Sequence, residues 1–328
     1  MKERVLITGA SGFLGYHLIV EALKNDLEVY AAVRKSSDIA HLKNLDIKYT
    51  YPDFSSVIVL KKDIQENKYD YIIHAAGVTK ARSVKEYRLV NADYTYNLAS
   101  AAASSGINIK GFTLIGSLAA VGPLQSITGI ITEETRPNPL TSYGKSKLLA
   151  EEKLKTVASL NYTILRPTAI YGPRDRDIFI FFKQLKTGIE PYIGKAQQKL
   201  SFVYVKDLAA ITIKSLYKCD QSTYNISDGN FYDKYELGFI SKKVLNLKTV
   251  IFHLPVIFVK FIAAISKNVG SLSGKASALN PEKVKELMAL NWFCSIDKAK
   301  HDLGYYPRYD LEAGLEETLK WYKDNKWL

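Results

Sequence analysis

Cysteine is almost missing from this chain: 328 residues contain only Cys219 and Cys294. Two thiols so far apart, with no metal-ligand spacing around them, exclude a disulfide scaffold and supply no metal ligand set. A reducing compartment, the cytoplasm, is the expected location. No signal peptide is expected either, because the chain enters its first apolar run by residue 4. Long apolar runs are scarce. The most apolar stretch, 250–266, is interrupted by His253, Pro255 and Lys260 and falls short of a typical bilayer span. A buried core helix is the first expectation there, with a peripheral membrane contact or a wall for an apolar substrate as alternatives. Acidic residues are the scarcer charge: 45 Lys and Arg against 33 Asp and Glu leave a formal net charge of +12. No basic block or nucleic-acid-binding signature accompanies the excess, so no nucleic acid is expected as a partner. A solvated basic surface, able to attract an anionic cofactor or substrate, is the plainer reading. Internal repeats and low-complexity tracts are lacking.

What is present has the composition of a globular protein, 47% hydrophobic and 24% charged, long enough for one large domain or two ordinary ones. Val5-Leu-Ile-Thr8 reads as a strand. Glycines follow at Gly9, Gly12 and Gly15, and Tyr16 to Lys24 reads as a helix with Leu18, Ile19, Ala22 and Leu23 on one side. Strand, glycine turn and helix in that order form an anion site: the glycines admit a pyrophosphate, and the helix N-terminus offers free N–H groups and a positive dipole end. Further strands are predicted at Glu28 to Val33, Ile47 to Tyr51, Tyr69 to His74, Lys110 to Ile115 and Tyr162 to Leu165. Helices are predicted up to about Gln65, over Val84 to Ser105 and over Ser142 to Ser159. This alternation implies an α/β fold, a doubly wound parallel sheet of Rossmann type with helices on both faces. After Tyr171-Gly172-Pro173 the pattern changes. Residues 174–201 look irregular apart from a possible helix from Ile178 to Leu185; Ser201 to Val205 is a strand, and Asp207 to Tyr217 and Leu311 to Trp327 are helices. The expected division is therefore a nucleotide domain of residues 1–170 with about 202–225, and a smaller, mainly helical C-terminal substrate lobe of about 171–201 and 226–328.

Chemistry gathers at Tyr143-Gly-Lys145-Ser-Lys147. Tyr143 and Lys147, at i and i+4 on one helix, share a face. A tyrosine exchanges a proton with an alcohol or carbonyl oxygen when its pKa comes down toward neutrality, and a neighbouring ammonium acts in that direction. Ser117 ends the fifth strand. Ligands of doubly wound sheets bind beyond the carboxyl ends of the strands, so its hydroxyl is placed to hold a substrate oxygen.

With these residues the chain resembles, over nearly its full length, the extended short-chain dehydrogenase/reductase family, which includes the NAD-dependent epimerases and dehydratases. Thr8-Gly-Ala-Ser-Gly-Phe-Leu-Gly15 is similar to its dinucleotide loop, and Asp53-Phe54 to its adenine-contacting pair. His74-Ala-Ala-Gly77 is similar to the strand end beside the cofactor, and Val90-Asn91 to a helix motif with a structural asparagine. Leu165-Arg-Pro167 with Ile170-Tyr-Gly-Pro-Arg174 resembles the nicotinamide-side segment, and Val205-Lys-Asp207 a Val-x-Asp turn. The resemblance implies hydride transfer between nicotinamide C4 and a secondary alcohol or ketone. Tyr143 would be the general acid/base, Lys147 would lower its pKa and bind ribose, and Ser117 would polarise the oxygen. It further implies cofactor contacts from Gly9, Ser11, Gly12, Phe13, Leu14 and Gly15, from Arg34, Asp53 and Phe54, from Ala75, Ala76 and Gly77, and from Tyr143, Lys147, Pro167 and Ile170. Thr79 and Tyr171 join Ser117 and Tyr143 as candidate substrate contacts. Metal is not implied; a homodimer through the helices at 84–105 and 142–159 is possible.

Val33-Arg34-Lys35 has no acid until Asp38. An arginine at the end of the second strand suits the 2′-phosphate of NADP, an acid the ribose of NAD, so NADP(H) is preferred and NAD(H) possible. Leu200-Ser201 stands where sugar-nucleotide members carry Arg-Asp, and Leu118-Ala119 where dehydratases carry Asp-Glu. The tail, including Asn291-Trp292 and Leu303-Gly304-Tyr305, is similar to the 3β-hydroxysteroid dehydrogenase and dihydroflavonol reductase branch. A substrate less polar than a nucleotide sugar is expected. The competing readings are a sugar-nucleotide epimerase and a non-enzymatic NADP-sensing or interaction protein on the same fold.

Overall fold

The computed structural model describes residues 2–273 and 280–328. In chain order the nucleotide side runs β1 (Arg4–Thr8), α1 (Phe13–Lys24), β2 (Glu28–Ala32), β3 (Lys48–Thr50), α2 (Val57–Asn67), β4 (Tyr71–His74), α3 (Val84–Arg88), α4 (Tyr94–Ser104), β5 (Gly111–Ile115), α5 (Ser142–Lys155) and β6 (Tyr162–Pro167). There follow β7 (Ala169–Tyr171), α6 (Phe179–Leu185), β8 (Ile189–Ile193), β9 (Phe202–Tyr204), α7 (Val205–Ser215) and β10 (Ser222–Ile226). The chain closes with α8 (Glu236–Leu245), β11 (Val250–Leu254), α9 (Val256–Ser273), α10 (Pro281–Leu287), α11 (Asp297–Leu303) and α12 (Leu311–Asp324).

Seven strands form one parallel sheet in the order β10-β6-β5-β4-β1-β2-β3. Its central strands are apolar runs because both faces are covered: Val5 and Ile7 of β1 point into one core and Leu6 into the other. Helices α1 and α7 cover the first face, α2, α4 and α5 the second. Strand order reverses between β1 and β4, which opens a crevice at their carboxyl ends.

Three features depart from the sequence expectations. The helix predicted from Val84 to Ser105 contains a π-helical turn at Leu89–Asp93, an extra residue's worth of backbone of the kind found at functional sites. The sheet has a seventh strand, β10, beyond the six read along the nucleotide half, and the segment taken as irregular holds β8. Most different is 250–266. Pro255 ends β11 and α9 begins after it, since proline disfavours helical backbone in the residue before it. Strand β11 pairs with β8. Val259 and Ala263 are buried against Val284 of α10, but Ile257, Phe258 and Phe261 are 84%, 53% and 62% exposed. A buried core helix is therefore the wrong description: among the described side chains of 256–266 only Val259 and Ala263 are buried. Among the described residues no helix is long and apolar enough to cross a membrane.

Asp207 of α7 ties the C-terminal part of the chain to the sheet: its carboxylate accepts from the backbone N–H groups of Arg308 and Tyr309 and from Arg308 Nε. Beneath it lies an aromatic core with Tyr171, Phe202, Tyr204 and Tyr322.

Candidate active site

The crevice at the β1/β4 reversal is a cleft of about 560 Å³. Gly9, with φ +69°, could not carry a side chain: a Cβ there would stand 2.8 Å from the Ala75 carbonyl carbon. One on Gly15 would stand 2.2 Å from the Gly9 oxygen. The glycines thus hold β1, the turn and the strand end after β4 at backbone contact. Gly12 caps α1 without a side chain to satisfy the first N–H groups, leaving donors and the positive dipole end turned to the cleft. A dinucleotide pyrophosphate fits this cradle.

The cleft lining includes Gly9, Ser11, Gly12, Phe13, Leu14 and Gly15, then Arg34, Phe54 and the Ala75-Ala76-Gly77 strand end. Asp53 does not join them. It is exposed, and its carboxylate is engaged by the Ser55 backbone N–H and hydroxyl at 2.9 and 2.7 Å; the neighbouring Phe54 faces the cleft instead. Ile170 packs against the core on the α1 side rather than lining the cleft. Lys35 and Ser37 beside Arg34, and Tyr94 beside the π-turn, line it although nothing in their spacing singles them out.

A buried hydrogen-bond chain fixes the strand end. Thr95 Oγ1 donates to the Asn91 carbonyl at 2.7 Å, so His74 Nε2 must donate to Thr95 Oγ1 at 3.0 Å. His74 Nδ1 then accepts from Thr8 Oγ1 at 2.8 Å, and Thr8 Oγ1 accepts the Ala76 N–H at 3.0 Å. Every proton in the chain is assigned by its neighbour. Burial, with the Lys147 charge nearby, lowers the His74 pKa to about 3, so the ring is neutral. Asn91, exposed to this chain by the π-turn, clasps Val78 N and O and reaches Ser146 of α5.

Helix α5 carries Tyr143 and Lys147. Thr141 caps it by accepting from Gly144 N, and Glu282 of α10 receives both the backbone N–H and the hydroxyl of Ser142 at 2.8 Å. Lys147 Nζ donates to the Ile115 carbonyl at 2.9 Å and lies close to Gly77. Its ammonium therefore sits where the cleft meets the end of β5. Tyr143 and Ser117 both line a second cavity, about 430 Å³, with Pro167 at its edge. The expected lowering of the tyrosine by the lysine is not seen in this arrangement. Burial pushes the phenol up to about 12, with the Ser117 hydroxyl acting in the opposite direction, while burial brings Lys147 down to about 8 against the pull of Glu151. The lysine's charge is turned to a backbone carbonyl, so the phenol stays protonated.

The structure brings Ser117, Tyr143, Lys147 and Pro167 together beside the cleft. Thr79 lines an adjoining pocket with Tyr143. Tyr171 is a correction: it is 0% exposed, donates its hydroxyl proton to the Asp310 carbonyl at 2.9 Å and packs against Tyr204, so it belongs to the lobe core and not to a substrate surface. Missed in the sequence was Glu151, one turn beyond Lys147. Fully buried, it holds Arg166 by Nε and Nη2 bonds of 3.0 and 2.6 Å.

Residues 5–227 match the NAD dependent epimerase/dehydratase family. The chain belongs to that family. It is accordingly an oxidoreductase or epimerase of the extended short-chain dehydrogenase type. The sterol-4-alpha-carboxylate 3-dehydrogenase (decarboxylating) of Saccharomyces cerevisiae is 28% identical, covering 97% of both chains. The ceramide reductase of Caulobacter vibrioides is 26% identical, over 99% of this chain and 96% of its own. Among solved structures, UDP-glucose 4-epimerase from Thermotoga maritima, with UDP-glucose, superposes with a TM-score of 0.80 at 20% identity, covering 98% and 99% of the two chains. At that identity the likeness speaks for the fold.

Proposed function

We propose that this chain interconverts a secondary alcohol and a ketone on an apolar, lipid-type molecule, with NADP(H) as the preferred cofactor. The cavity behind Ser117 and Tyr143 carries the reading. Its walls include Leu118, Ile178, Leu200, Phe202, Leu237 and Trp292, a lining suited to hydrocarbon. The charged residues at its rim are paired, Lys283 with Glu286 and Asp177 with Lys80, each at 2.7 Å. A nucleotide sugar would need free cations for its diphosphate. The sterol and ceramide enzymes among the relatives support the same substrate class.

In this reading Ser117 holds the substrate oxygen and Tyr143 exchanges its proton. Lys147, beside Gly77, is within the region where a cofactor ribose would lie. A bound nicotinamide supplies or accepts the hydride at C4. A screen of long-chain and polycyclic ketones with NADPH is expected to give turnover, and UDP- and dTDP-sugars none. Turnover confined to nucleotide sugars would replace this reading with the epimerase one.

The NADP preference rests on the mouth of the cleft at the end of β2. Arg34, Lys35 and Ser37 line it, and the nearest acid, Asp38, accepts from Ala40 N at 3.0 Å in its own turn. Arg34→Ala is expected to weaken NADPH binding by about tenfold, the scale of one charge-assisted phosphate contact, with little effect on NADH. Titration of both cofactors by fluorescence checks it; tighter NADH binding by the unmutated protein would sink the assignment.

A further inference from the structure

We propose that α9 and the β8–β11 ribbon dock this protein on an anionic membrane surface, the helix lying in the plane of the headgroups. The inference stands on surface geometry and charge, independent of which molecule is turned over.

At 100° per residue, Ile257, Phe258, Phe261, Ile262 and Ile265 fall on one arc of α9. All are at least 40% exposed. The buried stripe of Val259 and Ala263 lies on the opposite side and ties the helix to α10. Strand β11 extends the same apolar character, with Val250, Ile251 and Phe252 at 74%, 45% and 54% exposure. So large a continuous apolar surface is unusual on a protein that faces only water.

Charge selects the occupant. From Leu237 to Pro281 there is no Asp or Glu, while Lys242, Lys243, Lys248, Lys260, Lys267 and Lys275 all fall in that span. Lys242 and Lys243 pair with Glu190 and Glu312. Lys248 and Lys260 are exposed around the apolar face. An apolar arc bordered by lysines in an acid-free segment complements a layer of anionic headgroups over acyl chains. A second copy of this chain would instead bring lysine against lysine.

Docking there would place the active site at the lipid boundary. Helix α10 packs on α9 through Val284, lines the apolar cavity through Lys283, Glu286 and Leu287, and holds the start of α5 through Glu282. One short helix thus separates the membrane-facing arc from Tyr143.

Co-sedimentation with phosphatidylcholine vesicles, with and without phosphatidylglycerol, tests the proposal. The full chain is expected to sediment with the anionic vesicles and less with the neutral ones, the difference shrinking as salt is raised. Phe258→Glu/Phe261→Glu should reduce anionic-vesicle binding by more than about tenfold, given the apolar area withdrawn, and Lys248→Glu/Lys260→Glu should remove the preference for anionic lipid. Both sites are exposed, so NADPH titration should show each variant folded and cofactor-competent. Failure of the full chain to sediment with either vesicle, or undiminished binding by the phenylalanine variant, would overturn the proposal. So would a self-associated species, seen by analytical ultracentrifugation, that the phenylalanine variant abolishes in a protein without vesicle affinity.

Discussion

Tyr143→Phe is expected to lower kcat for the alcohol–ketone reaction by about 10²–10⁴-fold, the usual contribution of a positioned general acid or base. Cofactor affinity should stay near that of the unmutated protein. The substitution removes one oxygen at the mouth of the apolar cavity and leaves the cap of α5 at Thr141 and the Glu282–Ser142 contacts in place. The sign of the pH dependence follows from the phenol. Burial holds it at about 12, well above an ordinary tyrosine, so at neutral pH it is already the proton donor that carbonyl reduction needs. Alcohol oxidation needs the phenolate and should accelerate as pH rises, whereas reduction should not. An unchanged kcat in the phenylalanine variant would take Tyr143 out of the proton-transfer step.

The second large effect lies under the site. Glu151 and Arg166 form a buried pair, at 0% and 5% side-chain exposure, that joins α5 to β6. Glu151→Ala leaves the guanidinium buried and uncompensated, and is expected to cost about 3–5 kcal/mol of stability. Urea unfolding followed by circular dichroism measures it. Replacing both partners by methionine should cost less than removing the glutamate alone, because the charge and its partner are lost together. Equal losses in the single and double variants would show that packing, rather than the ion pair, holds this joint.

Where local chemistry forces the backbone, the sequence was informative. The loop glycines are legible because Gly9 and Gly15 tolerate no Cβ, and Tyr143 with Lys147 because four residues on a helix is a fixed geometry. Strand β10 escaped notice because Ser222-Thr-Tyr-Asn-Ile226 lacks the apolar run of the central strands; as the terminal strand it pairs with β6 alone. Tyr171 was misplaced for a related reason. A motif gives a residue's position along the chain, but the aromatic core with Tyr204 and Tyr322 encloses the Tyr171 ring. The 250–266 segment shows the limit most plainly. Hydrophobicity predicts burial only when something lies opposite, and Ile257, Phe258, Phe261, Ile262 and Ile265 are exposed.

The position of β10 also constrains how the chain comes together during synthesis. The sheet's last strand is made only after β7, α6, β8 and β9, so a ribosome that has released residues through Pro167 has produced six strands and an open edge on β6. Helix α5 precedes that edge, and Arg166, the partner of its Glu151, lies in the edge strand. Completion of the nucleotide half therefore waits on polypeptide that also begins the other half. The two cannot be exchanged between relatives as contiguous cassettes without cutting through a strand pair, and recombination that respects this fold must carry residues 4–226 as one piece.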